Sequence, residues 1–460
     1  MTPFKHVHFL GICGTAMGSV AAALRDAGYT VTGQDDNVYP PMSTFLESKG
    51  VTITQGFRPE DIPSADLIVI GNAMSRGNPA VESVLNRKLY YLSLPETLKQ
   101  FFLRGRHNLV VTGTHGKTTT TSLLTWIFES AGHQPSYLIG GIPANLGQGS
   151  CLRDSRHFII EGDEYDTAFF DKRSKFIHYL PELVIVNNVE FDHADIFANL
   201  DEIKTAFRRL LNIVPSEGMV LINADDANSL DVAAKCHAPV VEVGFSENAG
   251  HRITNVRHEK GTSSFDLLGT TFTVPLLGDF NVRNAAMAVA AAHFYGISFP
   301  EIQKALIEFK GIKRRQEIRG IVRDITIIDD FGHHPTAIRE TLAGLRSRYA
   351  GSRLWAIFEP RSNTTRRAVF QHELPKAFVD ADGVFIAQVA RLDQLPESDR
   401  LHPEQVVADI AALGKPAFYE PGADQIIEKL KPLVQPHDVV VVFSNGGFDN
   451  IHQKLIDRLA

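Results

Sequence analysis

The sequence predicts an α/β protein of three domains: a Rossmann-like N-terminal sheet, a central α/β domain of the P-loop ATPase kind, and a Rossmann-like C-terminal domain. Three observations carry this. Short apolar runs such as Leu67–Ile70, Leu183–Val186 and Val439–Phe443 end in glycine, asparagine, acidic or serine turns and alternate with helical stretches, the pattern of a parallel sheet. Residues 113–120 read Gly-Thr-His-Gly-Lys-Thr-Thr-Thr directly after Leu109-Val110-Val111, a strand that passes through a glycine turn into a helix. At 460 residues the chain has room for roughly two to four domains.

The first domain is expected over residues 1–106. His6–Leu10 is its opening strand, Gly11-Ile12-Cys13-Gly14 the turn, and 17–27 the helix. A second strand over 30–33 runs toward Asp35, and a third, Leu67–Ile70, closes on Gly71-Asn72. A glycine turn followed about 20 residues later by an acid is the layout of a dinucleotide site. The fingerprint GxGxxG is broken, however, because Gly11, Cys13 and Ala16 stand at its three glycine positions. A nicotinamide dinucleotide therefore fits poorly. The diphosphate of another nucleotide needs only the turn and the helix dipole.

The second domain is expected over 107–310. The phosphate loop opens it, Phe158-Ile159-Ile160-Glu161 forms a strand ending in an acid, and Leu183–Val186 leads into Asn187-Asn188-Val189-Glu190-Phe191-Asp192-His193. A strand over 219–222 comes next. The stretch 251–275, rich in Thr, Phe and Val, suits antiparallel strands, and 281–295 is an alanine-rich helix. The third domain, 311–460, repeats the parallel pattern. Its strands are 325–328 before Asp329-Asp330, Leu354–Phe358, Gly383–Ala387 and Val439–Phe443, and His333-His334-Pro335 opens a helix.

Composition excludes several classes. The chain is 44% hydrophobic and 22% charged with a net charge of −7, which argues for a globular protein without a nucleic-acid partner. Cys13, Cys151 and Cys236 lie far apart, so neither a disulfide framework nor a zinc site is expected. No signal-peptide pattern and no apolar run near the ~20 residues of a membrane span is present, so a cytoplasmic location without a membrane partner is expected.

Chemistry collects at strand ends. Lys117 is placed to reach the terminal phosphates of a nucleotide, and Thr118 to offer its hydroxyl to Mg²⁺. The loop is tighter than GxxxxGK[ST], with two residues between Gly113 and Gly116 instead of four. Glu161 and His193 are candidates to complete a metal site, although imidazole is an unusual Mg²⁺ ligand. Asp163, Glu164 and Asp166 either orient the groups around the metal or form a solvated acidic turn. Asn281 and Asn284, three apart on one helix, either contact a nucleotide or cap the helix. His333 and His334, being adjacent, suit ribose and base contacts better than a metal.

The strings Gly113-Thr-His-Gly-Lys-Thr-Thr-Thr120, Glu161-Gly-Asp-Glu164, Asn188-Val-Glu-Phe-Asp-His193, Asn281-Val-Arg-Asn284, Arg314-Arg315 and Asp329-Asp-Phe-Gly-His-His-Pro335 resemble the Mur ligases in order and spacing, across essentially the whole chain. The resemblance implies an ATP-dependent ligase that joins the lactyl carboxylate of UDP-N-acetylmuramate to the tripeptide L-alanyl-γ-D-glutamyl-meso-diaminopimelate, or alternatively to free L-alanine. It implies catalytic parts for Lys117, Glu161, His193 and Arg315. Thr118, Glu161 and His193 would hold Mg²⁺. ATP would be bound by Gly113, Thr114, His115, Gly116, Lys117, Thr118, Thr119, Asn281, Asn284, Arg315, Asp330 and His333. The first glycine turn is reassigned to the UDP-sugar, with Gly11, Cys13, Gly14, Ala16, Met17, Asp35 and Asn72 around it. For the peptide, Arg361, Ser362 and Asn445 are expected at third-domain strand ends. Gln316 succeeds the paired arginines where an apolar residue is usual, and Lys172 and Lys175 offer no clear counterpart to the carbamylated lysine of some relatives.

Overall fold

The computed structural model describes residues 4–259 and 261–460. The chain divides into two compact units. The first runs to Gly140 and takes in Gln148–Val189 and Asp201–Glu242, and the second comprises Gly141–Gly147, Glu190–Leu200 and Val243–Ala460. The expected second module is thus shared between the two units.

The first unit holds one parallel sheet and most of a second, mainly parallel one. Thr52–Gln55, Thr30–Asp35, His6–Leu10, Leu67–Ile70 and Tyr91–Ser93 lie side by side in that order, all parallel. The chain reverses direction across the sheet between His6–Leu10 and Leu67–Ile70, so the carboxyl ends of these two strands flank a crevice of the kind that binds ligands. The helix after the first strand is Thr15–Asp26, beginning two residues earlier than expected because Gly14 takes an extended backbone and serves as N-cap. In the other sheet Met219–Asn223, Leu183–Val186, His107–Thr112, His157–Gly162 and Ser136–Leu138 are neighbours in that order. Leu109, Val110, Val111 and Leu183–Val186 are fully buried, which explains why these strands read as continuous apolar runs and not as alternating ones. The hairpin of Asp166–Ala168 and Asp171–Ser174 carries Phe169 and Phe170 at its tip, and both rings pack on the core around Leu10, Ile68 and Val81.

The second unit contains the expected antiparallel strands, Thr254–Glu259, Thr262–Leu267 and Thr270–Val274, beside the helix Asp279–Phe294. That helix is buried nearly all round, consistent with its run of alanines. The larger sheet has the order Glu317–Val322, Ile325–Asp330, Val439–Phe443, Leu354–Phe358, Gly383–Ala387, Ala417–Glu420. Its first strand is antiparallel, joined by Arg323-Asp324, whose φ values of 48° and 61° match the two-residue turn that suits strand twist. The remaining strands are parallel, so Asp330, Glu359 and Ser444 emerge at one edge.

Candidate active site

The phosphate loop sits between His107–Thr112 and the helix Lys117–Ser130. Gly113 has φ +133°, and a Cβ there would stand 3.0 Å from both the Asn187 side chain and the Asn188 backbone nitrogen. Only glycine allows this approach. The loop is laced to the neighbouring strand end: Thr114 N–H donates to the Asn188 carbonyl at 3.1 Å, and His115 N–H to Asn188 Oδ1 at 2.8 Å. The helix N-cap, Gly116, brings no side-chain oxygen, so first-turn N–H groups remain for an anion.

Lys117 Nζ donates to the Gly113 carbonyl at 2.7 Å and to Glu164 Oε2 at 2.8 Å. The Glu164 side chain is 2% exposed and that of Lys117 14%. Burial pulls the lysine pKa down, but Glu164, Asp163 and Glu161 outweigh it and raise the pKa, so the ammonium stays charged. Thr118 Oγ1 donates to Glu161 Oε2 at 3.2 Å, while the other carboxylate oxygen accepts the Gly140 N–H at 2.7 Å. A hydroxyl and a carboxylate beside a phosphate loop are hard oxygen donors, a set that suits Mg²⁺. Asp163–Asp166 is not a solvated acidic turn throughout. Asp166 is half-buried and pairs with Lys172 at 2.5 Å, but Glu164 is buried on Lys117. Lys175 lies 3.9 Å over the Tyr165 ring and 3.5 Å from Asp163.

At the first glycine turn, Gly11 and Ile12 N–H groups donate to the Gln34 carbonyl. Asp35 is buried, and its two oxygens accept the N–H groups of Cys13 and Asn37, each at 2.9 Å. Gly14 and Asn72 are exposed, Cys13 and Ala16 are half-buried, and Met17 is buried.

His193 belongs to the second unit and has a left-handed backbone, φ 54°. Thr364 braces it from both sides, donating to Asp192 Oδ1 at 2.6 Å and accepting the Ala194 N–H at 3.3 Å. Burial would raise the Asp192 pKa, but His333, His193 and His334 together hold it well below the usual range. His334 is the N-cap of Pro335–Arg348, accepting the Thr336 N–H at 3.2 Å, so of the two histidines His333 is the one not spent on the helix end. Asn281 and Asn284 are buried and bonded to each other at 3.4 Å, and Asn281 donates to the Leu277 carbonyl at 2.9 Å. Neither is the N-cap, which is Gly278.

Asp330 accepts the N–H groups of Gly332 and Gln316 at 2.7 and 2.9 Å. Burial raises its pKa against the pull of Arg315. Arg314 and Arg315 both lie over the Phe331 ring, at 5.1 and 5.2 Å, and Arg314 also donates to the Ser444 and Gly446 carbonyls, both at 2.7 Å. Those two bonds bracket Asn445.

Known family domains span most of the chain. Residues 6–106 match the Mur ligase family catalytic domain, 111–292 the Mur ligase middle domain, and 314–446 the Mur ligase glutamate ligase domain. A Haemophilus influenzae relative, UDP-N-acetylmuramate–L-alanyl-γ-D-glutamyl-meso-2,6-diaminoheptandioate ligase, is 44% identical over 99% of each chain. The chain belongs to the Mur ligase family. It has that family's three-domain α/β architecture: the crystal structure of a murein peptide ligase from Psychrobacter arcticus is 38% identical, covers 99% of this chain and 98% of its own, and superposes with a TM-score of 0.72. An Acetivibrio thermocellus relative, a UDP-N-acetylmuramate–L-alanine ligase, is 32% identical over 96% of this chain and 94% of its own. Among the described residues, no helix is long and apolar enough to cross a membrane.

Proposed function

We propose that the chain is an ATP-dependent ligase that joins UDP-N-acetylmuramate to L-alanyl-γ-D-glutamyl-meso-diaminopimelate, a reaction of murein recycling in the cytoplasm. The observation that carries the ligase chemistry is the meeting of Lys117, Thr118 and Glu161 at the mouth of the glycine loop. The higher identity to the tripeptide ligase than to the alanine ligase, 44% against 32%, supports the choice of acceptor.

A carboxylate is a poor electrophile and must be activated. Its oxygen attacks the γ-phosphorus of ATP, ADP leaves, and an acyl phosphate results. The peptide amine, having lost a proton, then attacks the acyl carbon, and phosphate departs from the tetrahedral intermediate. Lys117 neutralises charge on the phosphoryl group in flight. Thr118 and Glu161, with His193 in the same reading, would hold Mg²⁺, which when bound offsets the charge of the triphosphate. Asn281, Asn284, Arg315, Asp330 and His333 serve ATP, and Gly11, Cys13, Gly14, Ala16, Met17, Asp35 and Asn72 line the UDP-sugar site. The peptide meets Arg361, Ser362 and Asn445. Residues 1–106, 107–310 and 311–460 divide the labour between sugar nucleotide, ATP and peptide.

The experiment is phosphate release from ATP and UDP-N-acetylmuramate with either acceptor. The tripeptide should give a much larger kcat/KM than L-alanine. Equal or faster turnover with alanine would replace this reading by the alanine-adding one, and nicotinamide binding without ATP turnover would replace both.

A further inference from the structure

The hairpin that follows the strand ending in Glu161 carries aromatic residues where a tight turn is ordinarily polar. Asp166–Ala168 and Asp171–Ser174 pair with Ala168 opposite Asp171, so the two connecting residues are Phe169 and Phe170. Hairpin turns favour Gly, Asn and Asp. Two phenylalanines supply no turn chemistry, so what they touch accounts for them.

Their contacts lie in the N-terminal domain. Phe170 meets Tyr91 edge-on with ring centroids 4.9 Å apart, and Phe169 meets Phe170 in the same way at 5.1 Å. Both rings pack on the cluster that contains Leu10, Ile68 and Ile70. Leu10 directly precedes Gly11, and Ile70 directly precedes Gly71-Asn72, so the aromatic tip rests on the two strand ends that flank the first crevice. Met74 packs on the same cluster and reaches to 3.6 Å from where a Cβ at Gly11 would stand. A second tie lies at the base of the hairpin. Glu96, from the N-terminal domain, brings a carboxylate oxygen within 4.8 Å of ligand atoms on Asp171 and His178, and Arg173 donates to Asp171 at 2.9 and 2.7 Å.

The arms between these ties are short and stitched. Thr167 Oγ1 donates to the Arg173 carbonyl at 2.8 Å, and the Lys175 N–H donates to the Tyr165 carbonyl at 3.1 Å. Lys175 Nζ then lies 3.9 Å over the Tyr165 ring and 3.5 Å from Asp163. Glu164, whose carboxylate holds Lys117 at 2.8 Å, stands five residues before Phe169. A two-stranded path thus joins the floor of the first crevice to the lysine of the phosphate loop. Attack of a carboxylate on phosphorus needs the reacting atoms about 3–3.5 Å apart, and neither site alone sets that separation.

We propose that Phe169 and Phe170 are positioning residues for ligation: seated on the strand ends beneath the sugar-nucleotide crevice, they fix that crevice relative to Lys117 and Glu161. This rests on the ligase reading above and adds to it what sets one substrate against another.

The test uses the whole enzyme carrying Phe169→Ala and Phe170→Ala together, and separately Thr167→Val, which loosens the arms without touching the aromatic contacts. Turnover of ATP, UDP-N-acetylmuramate and the tripeptide is normalised to the number of sites that bind UDP-N-acetylmuramate in calorimetry. In the double variant kcat per site should fall about tenfold to a hundredfold, the range of a misplacement near 1 Å, and in Thr167→Val it should fall in the same direction by less. The dissociation constants of UDP-N-acetylmuramate and of a non-hydrolysable ATP analogue, each measured alone, should stay within about threefold of wild type. A merely structural role would remove binding sites and activity in proportion, and an unchanged kcat per site overturns the proposal. A rise in the UDP-N-acetylmuramate dissociation constant that matches the loss of kcat/KM would mean that the hairpin shapes the sugar site alone, which overturns it as well. Should the double variant bind no UDP-N-acetylmuramate, Thr167→Val decides by the same two criteria. A wild-type enzyme without turnover would instead refute the ligase reading.

Discussion

Replacing Lys117 by alanine removes the phosphate ligand proposed above and also half of a buried ion pair, and the two losses can be separated. Glu164 is 2% exposed and its oxygen lies 2.8 Å from Nζ. Without the ammonium the buried carboxylate loses its ion-pair partner, which costs about 3–5 kcal/mol. For a folding unit of this size that corresponds to a fall in thermal midpoint on the order of 10 °C. Lys117→Met combined with Glu164→Gln replaces both charges by neutral side chains of similar shape, and should recover stability to within about 1 kcal/mol of wild type, as buried pairs replaced as a unit commonly do. Activity should not recover with it. Every variant lacking Lys117 loses at least about a hundredfold in phosphate release, because the charge on the γ-phosphoryl group goes unmatched. Binding of UDP-N-acetylmuramate, measured by calorimetry, should change little. Two results would refute the reasoning: a Lys117→Ala protein as stable as wild type, or a double variant no more stable than the single one. Restored ligation in the double variant would remove Lys117 from the chemistry altogether.

Gly113→Ala forces a side chain into a φ +133° backbone 3.0 Å from Asn187 and Asn188; strain and overpacking should cost about 2–5 kcal/mol and abolish nucleotide-dependent turnover, and an active, stable Gly113→Ala enzyme would show that the loop has slack. Thr364→Val breaks the brace on either side of His193 and should lower stability by about 1–3 kcal/mol and slow ligation, with Thr364→Ser restoring both; failure of serine to rescue would mean that the hydroxyl is not the cause. His8 is 1% exposed, and burial, aided by His6, lowers its pKa from 6.5 to about 4. The unfolded chain therefore binds this proton first, so the stability due to neutral His8 is complete above pH 6.5 and is lost as pH falls toward 4, by up to about 3 kcal/mol. Thermal midpoints between pH 7 and 4 should fall more steeply for wild type than for His8→Leu, and parallel curves would rule this out.

Much of the site was legible because buried parallel strands announce themselves. Leu109-Val110-Val111 and Phe158-Ile159-Ile160 are unbroken apolar runs, so Gly113 and Glu161, at their carboxyl ends, must emerge where ligands gather. The turns beyond a strand end are harder to read. Three acids after Glu161 look alike in sequence, and only packing against the start of the Lys117–Ser130 helix selects Glu164 for burial while Asp163 and Asp166 stay half-buried. Asn281 and Asn284 suggest a cap because asparagine favours that place, but the helix begins at Asp279 and both fall within it, where they bond inward. Arg391 lies in a turn without periodicity, and its contact with the Arg361 carbonyl, 30 residues earlier in the chain, follows from the pairing of Leu354–Phe358 with Gly383–Ala387.

The first glycine turn keeps part of a broken fingerprint. In a dinucleotide fold the acid after the second strand reads a ribose hydroxyl. Here both oxygens of Asp35 accept backbone N–H groups, one of them from Cys13, so the acid also braces the turn. The proposed diphosphate contact does not need that hydroxyl contact. Gly14 caps the Thr15–Asp26 helix without a side-chain oxygen, and no acid stands in the first turn, so the first-turn N–H groups and the positive end of the dipole remain for an anion. A turn with Cys13 and Ala16 in place of glycines thus lacks the nicotinamide fingerprint and keeps what any nucleoside diphosphate needs, which is why the same residues that argue against NAD are compatible with the proposed UDP-sugar site.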